Sequence, residues 1–532
     1  MMRGLGERST TGFDADLPRF MSLINLLILF PFLGALVILC VPGSLRFLIR
    51  GLAIVSTFFT MLTAFVLFFS FKTGAPGFQF ETFIPWSTAL GIQYHVGADG
   101  VNIGLLFMGA VVGFAAACVS WEIKTRDKEF YILLLVMLGG ILGAFASLDL
   151  FFLYFFHELA LIPTFIMIGV WGRGERKNYA AYQITIYLSL GALLVLLGLI
   201  ALYLKAGANS FDLVEITRHL REQRMSVAAQ NLIFPVLLFG FGILVSLWPF
   251  HSWAPLGYAS APTATAMLHA GVLKKFGLYG LLRIAIPLMP DGANAWVGIL
   301  AWLCLGNILY CGFTAMRQKD LNLVIGNASV AHMGFIFLGL ASLNLIGVTG
   351  AVMIMVAHGF LAALTFALSG YIYQQTGTLE IARLGGLLRR LPFIGALLMM
   401  AMLAGCGVPG FPNFVGEMMV FFGAWSAFKW VTVLAVWGAL VIGGVYMLRT
   451  IRNVLHGPLA NEWECIADAS NPWRRLPFAL LIALLLVFGF FPRLLTDKIK
   501  PVAAEIVAAS TPLNITGLAV NITLPEPQLA HR

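Results

Sequence analysis

Charge is what this chain has least of. Only 11% of its 532 residues are Asp, Glu, Lys or Arg, against 60% hydrophobic, and the mean hydropathy is +0.91. A soluble domain needs far more charge than that to cover its surface, so a soluble fold is excluded. Cysteine is also sparse: Cys40, Cys118, Cys304, Cys311, Cys406 and Cys465 form no CxxC pair, and most stand inside apolar runs. They read as small core residues rather than as ligands of an iron–sulfur cluster. No HExxH or HxxxH spacing offers a metal site, no GxGxxG follows a strand, and no bis-histidine haem signature is present, so neither metal nor cofactor is expected in this chain. No cleavable leader is expected either. Met1 to Phe20 is polar, and the first apolar run, Ile24 to Val41, is already of spanning length; Met1 and Met21 both stand as possible starts.

What the chain has instead is apolar runs of about 20 residues, each able to cross a hydrocarbon core of roughly 30 Å. They predict helices over 22–42, 50–71, 101–120, 130–148, 150–171, 180–204, 231–253, 262–289, 296–315, 323–343, 347–374, 394–424, 430–453 and 476–496. The expected fold is therefore an all-α polytopic membrane protein with about fourteen transmembrane helices. In a soluble protein the net charge of +9 would suggest a nucleic acid partner. Here the cations collect in alternate loops, for example Lys124, Arg126 and Lys128, then Arg317 and Lys319, then Arg449 and Arg452. The exception is 205–230, whose FDLVEITRHLREQ reads as a short surface helix carrying Arg218 and Arg221. Counting cations puts the basic loops in the cytoplasm and both termini on the periplasmic side of a bacterial inner (plasma) membrane. The expected surroundings are lipid, with no nucleic acid.

Two apolar segments are interrupted. LWPFHSWAP (Leu247 to Pro255) breaks one helix at Pro249 and Pro255, and GCGVPGFPNFVGE (Gly405 to Glu417) breaks another in a comparable place five segments later. Helix breaks at membrane depth need protein or water to meet the freed backbone groups. When paired in two halves, they point to a transporter built from structural repeats. The organisation read from this is 1–129 for the N-terminal tail and three helices, 130–289 and 296–453 for two five-helix repeats, and 454–532 for a last helix and tail.

Ionisable residues inside the spans mark where function lies, because each costs about 2.5–3.5 kcal/mol at the bilayer centre on insertion scales. Glu158, with His157 beside it, sits in FFLYFFHELALIP; Lys274 and Lys275 sit in HAGVLKKFGLYG; His332 and His358 sit on otherwise apolar helices; Glu417 follows the second break. His251 and His269 are secondary candidates. Five of the nine histidines lie in or beside apolar spans. Imidazole exchanges protons near neutrality, so a shared polar axis carrying protons is the reading these residues favour.

HELALIP, LWPFHSWAP, SAPTATAMLHAGVLKKFGLYGLLR, MRQKDLNLVIGNASVAHMGF and GFPNFVGE resemble the antiporter-like membrane chains of proton-pumping NADH:quinone oxidoreductase, respiratory complex I. The likeness runs from about Asp99 to Glu417 and more loosely to about Pro492. It implies two inverted five-helix repeats and proton transfer driven by redox chemistry elsewhere. It also implies partner subunits, sister antiporter-like chains among them, that hold NAD, FMN, iron–sulfur clusters and quinone. By motif, Glu158 matches the fifth-helix carboxylate, Lys275 the eighth-helix lysine, His332 and His358 the central-axis histidines, and Glu417 the twelfth-helix carboxylate. Sister chains carry lysine at that last position, and the chain lacks the long lateral helix of one of them.

The departures are informative. The family's seventh-helix lysine is replaced by an apolar residue near Leu244, APLGY stands where LPDAH is usual, Asn322-Leu323 replaces Lys-Arg, and Lys274 stands where leucine is usual. Lys274 is therefore expected to replace the missing lysine as the partner of Glu158. Two other readings use the same fold: a cation/proton antiporter subunit, and a subunit of a membrane-bound hydrogenase or of an ion- or carbon-uptake complex.

Overall fold

The computed structural model describes residues 22–511; Met1 to Phe20 and the alternative start Met21 lie outside them. Twelve helices are long and apolar enough to cross a membrane. Two interrupted passes, 263–288 and 392–427, bring the number among the described residues to fourteen. The first three are α1 (Leu23–Cys40), α2 (Arg46–Ser70) and α3 (Asn102–Val119). A two-stranded antiparallel hairpin, β1 (Gln79–Ser87) and β2 (Ile92–Ala98), lies between the second and third. The sequence reading missed it.

The first repeat holds α4 (Asp127–Ala146), α5 (Leu150–Trp171), α6 (Lys177–Ala206), the surface helix α7 (Leu213–Glu222), α8 (Val227–Val245), the short α9 (Trp253–Ser260) and α10 (263–288). The second holds α11 (Pro290–Arg317), α12 (Leu321–Ala341), α13 (Leu345–Thr376), α14 (Pro392–Gly405), α15 (Pro412–Ala427) and α16 (Lys429–Leu455). The chain continues into α17 (Pro472–Phe490) and α18 (Arg493–Ala509), the latter also unexpected from sequence. Helix α18 carries an apolar face of Leu495, Ile499, Ala503 and Ile506, which it buries against α13 and α10.

The repeats share construction as well as order. Asp149 caps α5 by accepting hydrogen bonds from Phe151 N and Phe152 N, and Asp320 caps α12 by accepting one from Leu323 N. Beside each cap the chain makes the same two-bond backbone bridge. Leu150 N donates to Phe211 O at 2.9 Å and Leu213 N to Leu148 O at 2.7 Å; Leu321 N donates to Leu379 O at 2.9 Å and Ile381 N to Lys319 O at 2.8 Å. Each repeat crosses the membrane an odd number of times, so the second starts on the opposite face and is inverted.

Helix α13 is the hub. It packs against α3, α10, α12, α15, α17 and α18, and from Gly347 to Ile372 every residue is buried. Its approach to α10 is close: a Cβ on Gly271 would stand 3.0 Å from Gly359 O, and one on Gly359 would stand 3.0 Å from Gly271 O. Small residues permit such contact between membrane helices, and this one brings α10 and α13 side by side where their ionisable residues lie.

The breaks differ in detail from the sequence reading. Helix α8 ends at Val245 and α9 starts at Trp253, so the unwound stretch is 246–252 and Pro255 lies within the first turn of α9. A proline there costs nothing, because that amide has no helical partner in any case. The expected span 394–424 is two helices separated by residues 406–411. Helix α10 also contains two π-helical turns, His269–Leu273 and Leu281–Ala285, and α16 contains one at Gly438–Gly443.

Candidate functional site

The π-turn of α10 sets the site. Lys274 N donates to His269 O, five residues back, at 3.1 Å, and the widened turn frees carbonyls that a regular helix would use. Lys275 takes one of them: its ammonium donates to Ala270 O at 2.7 Å. The same Nζ lies 2.9 Å from His358 Nδ1 on α13. His358 faces His332 of α12, with ring centroids 5.4 Å apart, and His332 Nε2 lies 3.9 Å from Glu417 Oε1 on α15. Lys275, His358, His332 and Glu417 thus form one row, and all four are buried.

His332 has a carbonyl acceptor near each ring nitrogen. Its Nδ1 faces Ala328 O at 2.7 Å and its Nε2 faces Gly405 O at 3.1 Å. Neutral imidazole carries a single N–H, so the two acceptors compete for it and a change of tautomer moves it from one side to the other. Small cavities flank the ring: one of about 20 Å³ bounded by Ser329, His332, His358 and Thr365, and one of about 10 Å³ bounded by His332, Glu417, Cys406 and Tyr446. Each is of the size of one water molecule and has a few polar groups in a mainly apolar wall.

The second break shapes the acid end. Gly407, at φ +68°, lies so close beneath Glu417 that a Cβ there would stand 2.6 Å from Oε2. Asn413, one turn before Glu417, is fully buried, and neither atom of its side-chain amide has a hydrogen-bond partner among the described residues.

Lys274 does not meet Glu158, which corrects the expectation above. Its ammonium donates to Ser329 Oγ at 3.0 Å and lies over the Tyr258 ring, 5.3 Å from its centroid. The reason is helical geometry. Phe276 stacks on His157 at 3.9 Å, so that face of α10 looks towards α5, and Lys274, two residues earlier, is turned by roughly 200° away from it. The ion-pair contact that Glu158 makes among the described residues is with His157 Nδ1 at 3.4 Å, and its side chain is 29% exposed at the edge of the bundle. Glu158 and His157 therefore stand apart from the row. His269 stacks on Trp253 and meets Tyr258 edge-on, both at 5.5 Å. His251 lies in the first break beside Tyr310 at 5.3 Å. Neither joins the row by a direct hydrogen bond.

Three site residues escaped the sequence reading. Ser329 holds Lys274. Asn307 repairs the first break: its Oδ1 accepts from Trp248 N at 2.8 Å, and its Nδ2 donates to Ser246 O at 2.8 Å and to Val330 O at 3.2 Å. Tyr446 borders the Glu417 cavity. The available signal for Asn307 was a polar residue in an apolar span, LCLGNILYC.

The chain is similar in sequence and fold to known proteins. The family described as NADH:quinone oxidoreductase/Mrp antiporter, TM, matches residues 147–443. The chain is 34% identical over 466 residues to NADH-quinone oxidoreductase subunit M of Rhodobacter capsulatus, covering 86% of this chain and 90% of the relative. It is 30% identical over 473 residues to NADH-ubiquinone oxidoreductase chain 4 of Chondrus crispus, covering 88% and 94%. A chain of respiratory complex I from Thermus thermophilus superposes with a TM-score of 0.84 at 28% identity, covering 92% of this chain and all of that one. The archaeal membrane-bound sulfane sulfur reductase shares the fold alone, with a TM-score of 0.77 at 21% identity. By family match, identity and fold, the chain belongs to the NADH:quinone oxidoreductase/Mrp antiporter family of membrane proteins, in its subunit M (chain 4) group.

Proposed function

We propose that protons move through this chain along the row Lys275, His358, His332 and Glu417. The chain is a proton-translocating membrane subunit of a complex I-type NADH:quinone oxidoreductase, and so part of a redox-driven translocase. One observation carries the path: four ionisable side chains from four different helices meet in an apolar interior, at 2.9 Å between the first two and 3.9 Å between the last two. Buried groups of this kind are costly, and the bundle satisfies them with one another and with carbonyls. Lys274 borders the row through Ser329 and serves as a side store of charge. Glu158, with His157, belongs to the outer wall, where a neighbouring subunit would meet it.

In this reading NAD, FMN, iron–sulfur clusters and quinone are held by partner subunits, sister antiporter-like chains adjoin this one, and the basic loops face the cytoplasm of a bacterial cell. Of the two repeats, 130–289 supplies Lys275 and 296–453 supplies His358, His332 and Glu417. The test is Glu417→Gln in the tagged, intact assembly in liposomes, with pumping read by a pH-sensitive dye and NADH oxidation read in parallel. Loss of pumping supports the path; an unchanged number of protons per electron overturns it. Mass spectrometry of the purified assembly tests the partners. Recovery of small membrane chains without flavin or iron–sulfur subunits would instead fit an antiporter.

A further inference from the structure

A vestibule of about 970 Å³ opens on the face of the bundle that carries the basic loops, between the end of α11, the loop after α13 and the last turns of α16. Its wall includes Lys319, Glu380, Arg449, Arg452, His456 and Glu462. Acids, bases and a histidine stand together there, so protons can be exchanged with bulk water. At its floor is Tyr446, nearly fully buried. Tyr446 also lines the cavity of about 10 Å³ that holds Glu417 and His332. It is the residue common to the two spaces.

Local structure sets the backbone from which the ring projects. The π-turn Gly438–Gly443 adds a residue just before it on α16. Thr450 Oγ1 donates to Tyr446 O at 2.7 Å. The ring edge lies at ordinary contact distance, 3.9 Å, from where a Cβ on Gly312 would stand.

Resting on the path proposed above, we infer that Tyr446 is the proton-passing residue between this vestibule and Glu417. A phenol can do this without ionising in the resting state: its oxygen accepts a proton from hydronium in the vestibule as its own hydroxyl proton leaves, by way of a water entering the small cavity, to the Glu417 carboxylate. One O–H bond forms and one breaks, and rotation of the hydroxyl resets the group. The same ring excludes bulk water, so the row is fed without being flooded.

The experiment compares Tyr446→Phe, Tyr446→His and Glu417→Gln in the intact assembly in liposomes, each checked for full subunit content. Tyr446→Phe keeps the packing and removes the relay; coupled turnover and pumping should fall about a hundredfold, the low end of the range for a lost proton-transfer group. The solvent deuterium isotope effect should rise, which a packing role would not cause. Tyr446→His restores a proton-carrying group and should recover most of the rate with a shifted pH profile. If Glu417→Gln is impaired while Tyr446→Phe matches the parent, this inference is overturned and the row stands. If Tyr446→His is as slow as Tyr446→Phe with an unchanged isotope effect, the ring acts by packing and the inference is overturned. If Glu417→Gln is itself unimpaired, the row fails and this inference with it.

Discussion

Gly407→Ala tests the acid end of the row most directly. Position 407 is left-handed at φ +68°, which costs an L-residue roughly 1–2 kcal/mol. The new Cβ would stand 2.6 Å from Glu417 Oε2, whereas ordinary contact begins near 3.4 Å. The atom that must yield is the tip of a flexible side chain, so the backbone stays and the carboxylate retreats by roughly 0.8 Å. A shift of that size at a reacting group can cost up to about a hundredfold in rate. Gly410→Ala supplies the control. It lies in the same break at φ +102°, yet its Cβ would meet nothing nearer than Phe490 Cζ at 3.8 Å. The control therefore shares the backbone penalty and spares the carboxylate. We expect both variants to lose a similar amount of thermal stability and only Gly407→Ala to lose pumping, by about tenfold or more. Dye-reported proton uptake per NADH oxidised, with melting of the purified assembly alongside, measures both. Equal pumping in the two variants would refute the claim that the carboxylate's position matters.

Lys275→Met removes the donor to His358 and Ala270 O, and pumping should fall by about tenfold or more; Lys274→Leu leaves both contacts in place and should cost less, so a reversed order in the same assay would contradict the geometry. Asn307→Leu strands Trp248 N and Ser246 O in the first break, each orphaned group costing about 1–3 kcal/mol; the assembly should melt earlier, and unchanged melting would show that water replaces the amide. At the hairpin, burial alone would lower the pKa of His95, but Asp212 on Nδ1 and Glu81 on Nε2, the latter at 2.6 Å, outweigh it and raise the pKa above its ordinary value. A histidine raised in the folded state contributes stability that is complete below about 6.5 and fades as pH climbs through the folded value. Hydrogen exchange of hairpin amides should therefore quicken as pH rises above about 6.5 in the parent and show no such pH-linked loosening in His95→Gln.

The membrane passes were legible because a spanning helix must be apolar over a fixed length, and Ile24 to Val41 or Leu345 to Thr376 can be little else. Lys275, His332, His358 and Glu417 were legible because charge and imidazole are rare at that depth. The direction of Lys274 was not. Adjacent lysines tell only that they diverge; which one meets α13 depends on the π-turn and on Phe276 packing against His157. Tyr446 was hidden for a different reason. Tyrosine in an apolar helix ordinarily marks a membrane interface, and only the two cavities on either side of the ring give it a role. The hairpin had its signal in the partial alternation of QFETFIPWS and IQYHVGA, which short apolar segments elsewhere in the chain obscured. In α18, Pro501 interrupts a sequence whose apolar face is otherwise at helical spacing.

The row has a further property that follows from its orientation. Lys275, His332 and His358 stand near the middles of their helices, and the Glu417 side chain turns back to Gly407 in the break. Charge shifted along it therefore travels sideways within the bilayer, at nearly constant electrical depth. A membrane voltage does work on a charge only as it changes depth, about 2.3 kcal/mol per 100 mV for a full crossing. Lateral steps are thus almost blind to the voltage, while the steps leading to and from the row bear nearly all of it. On the proposed path, an enzyme working against a charged membrane shuffles protons along this line at little electrical cost, and its back-pressure is felt at the ends.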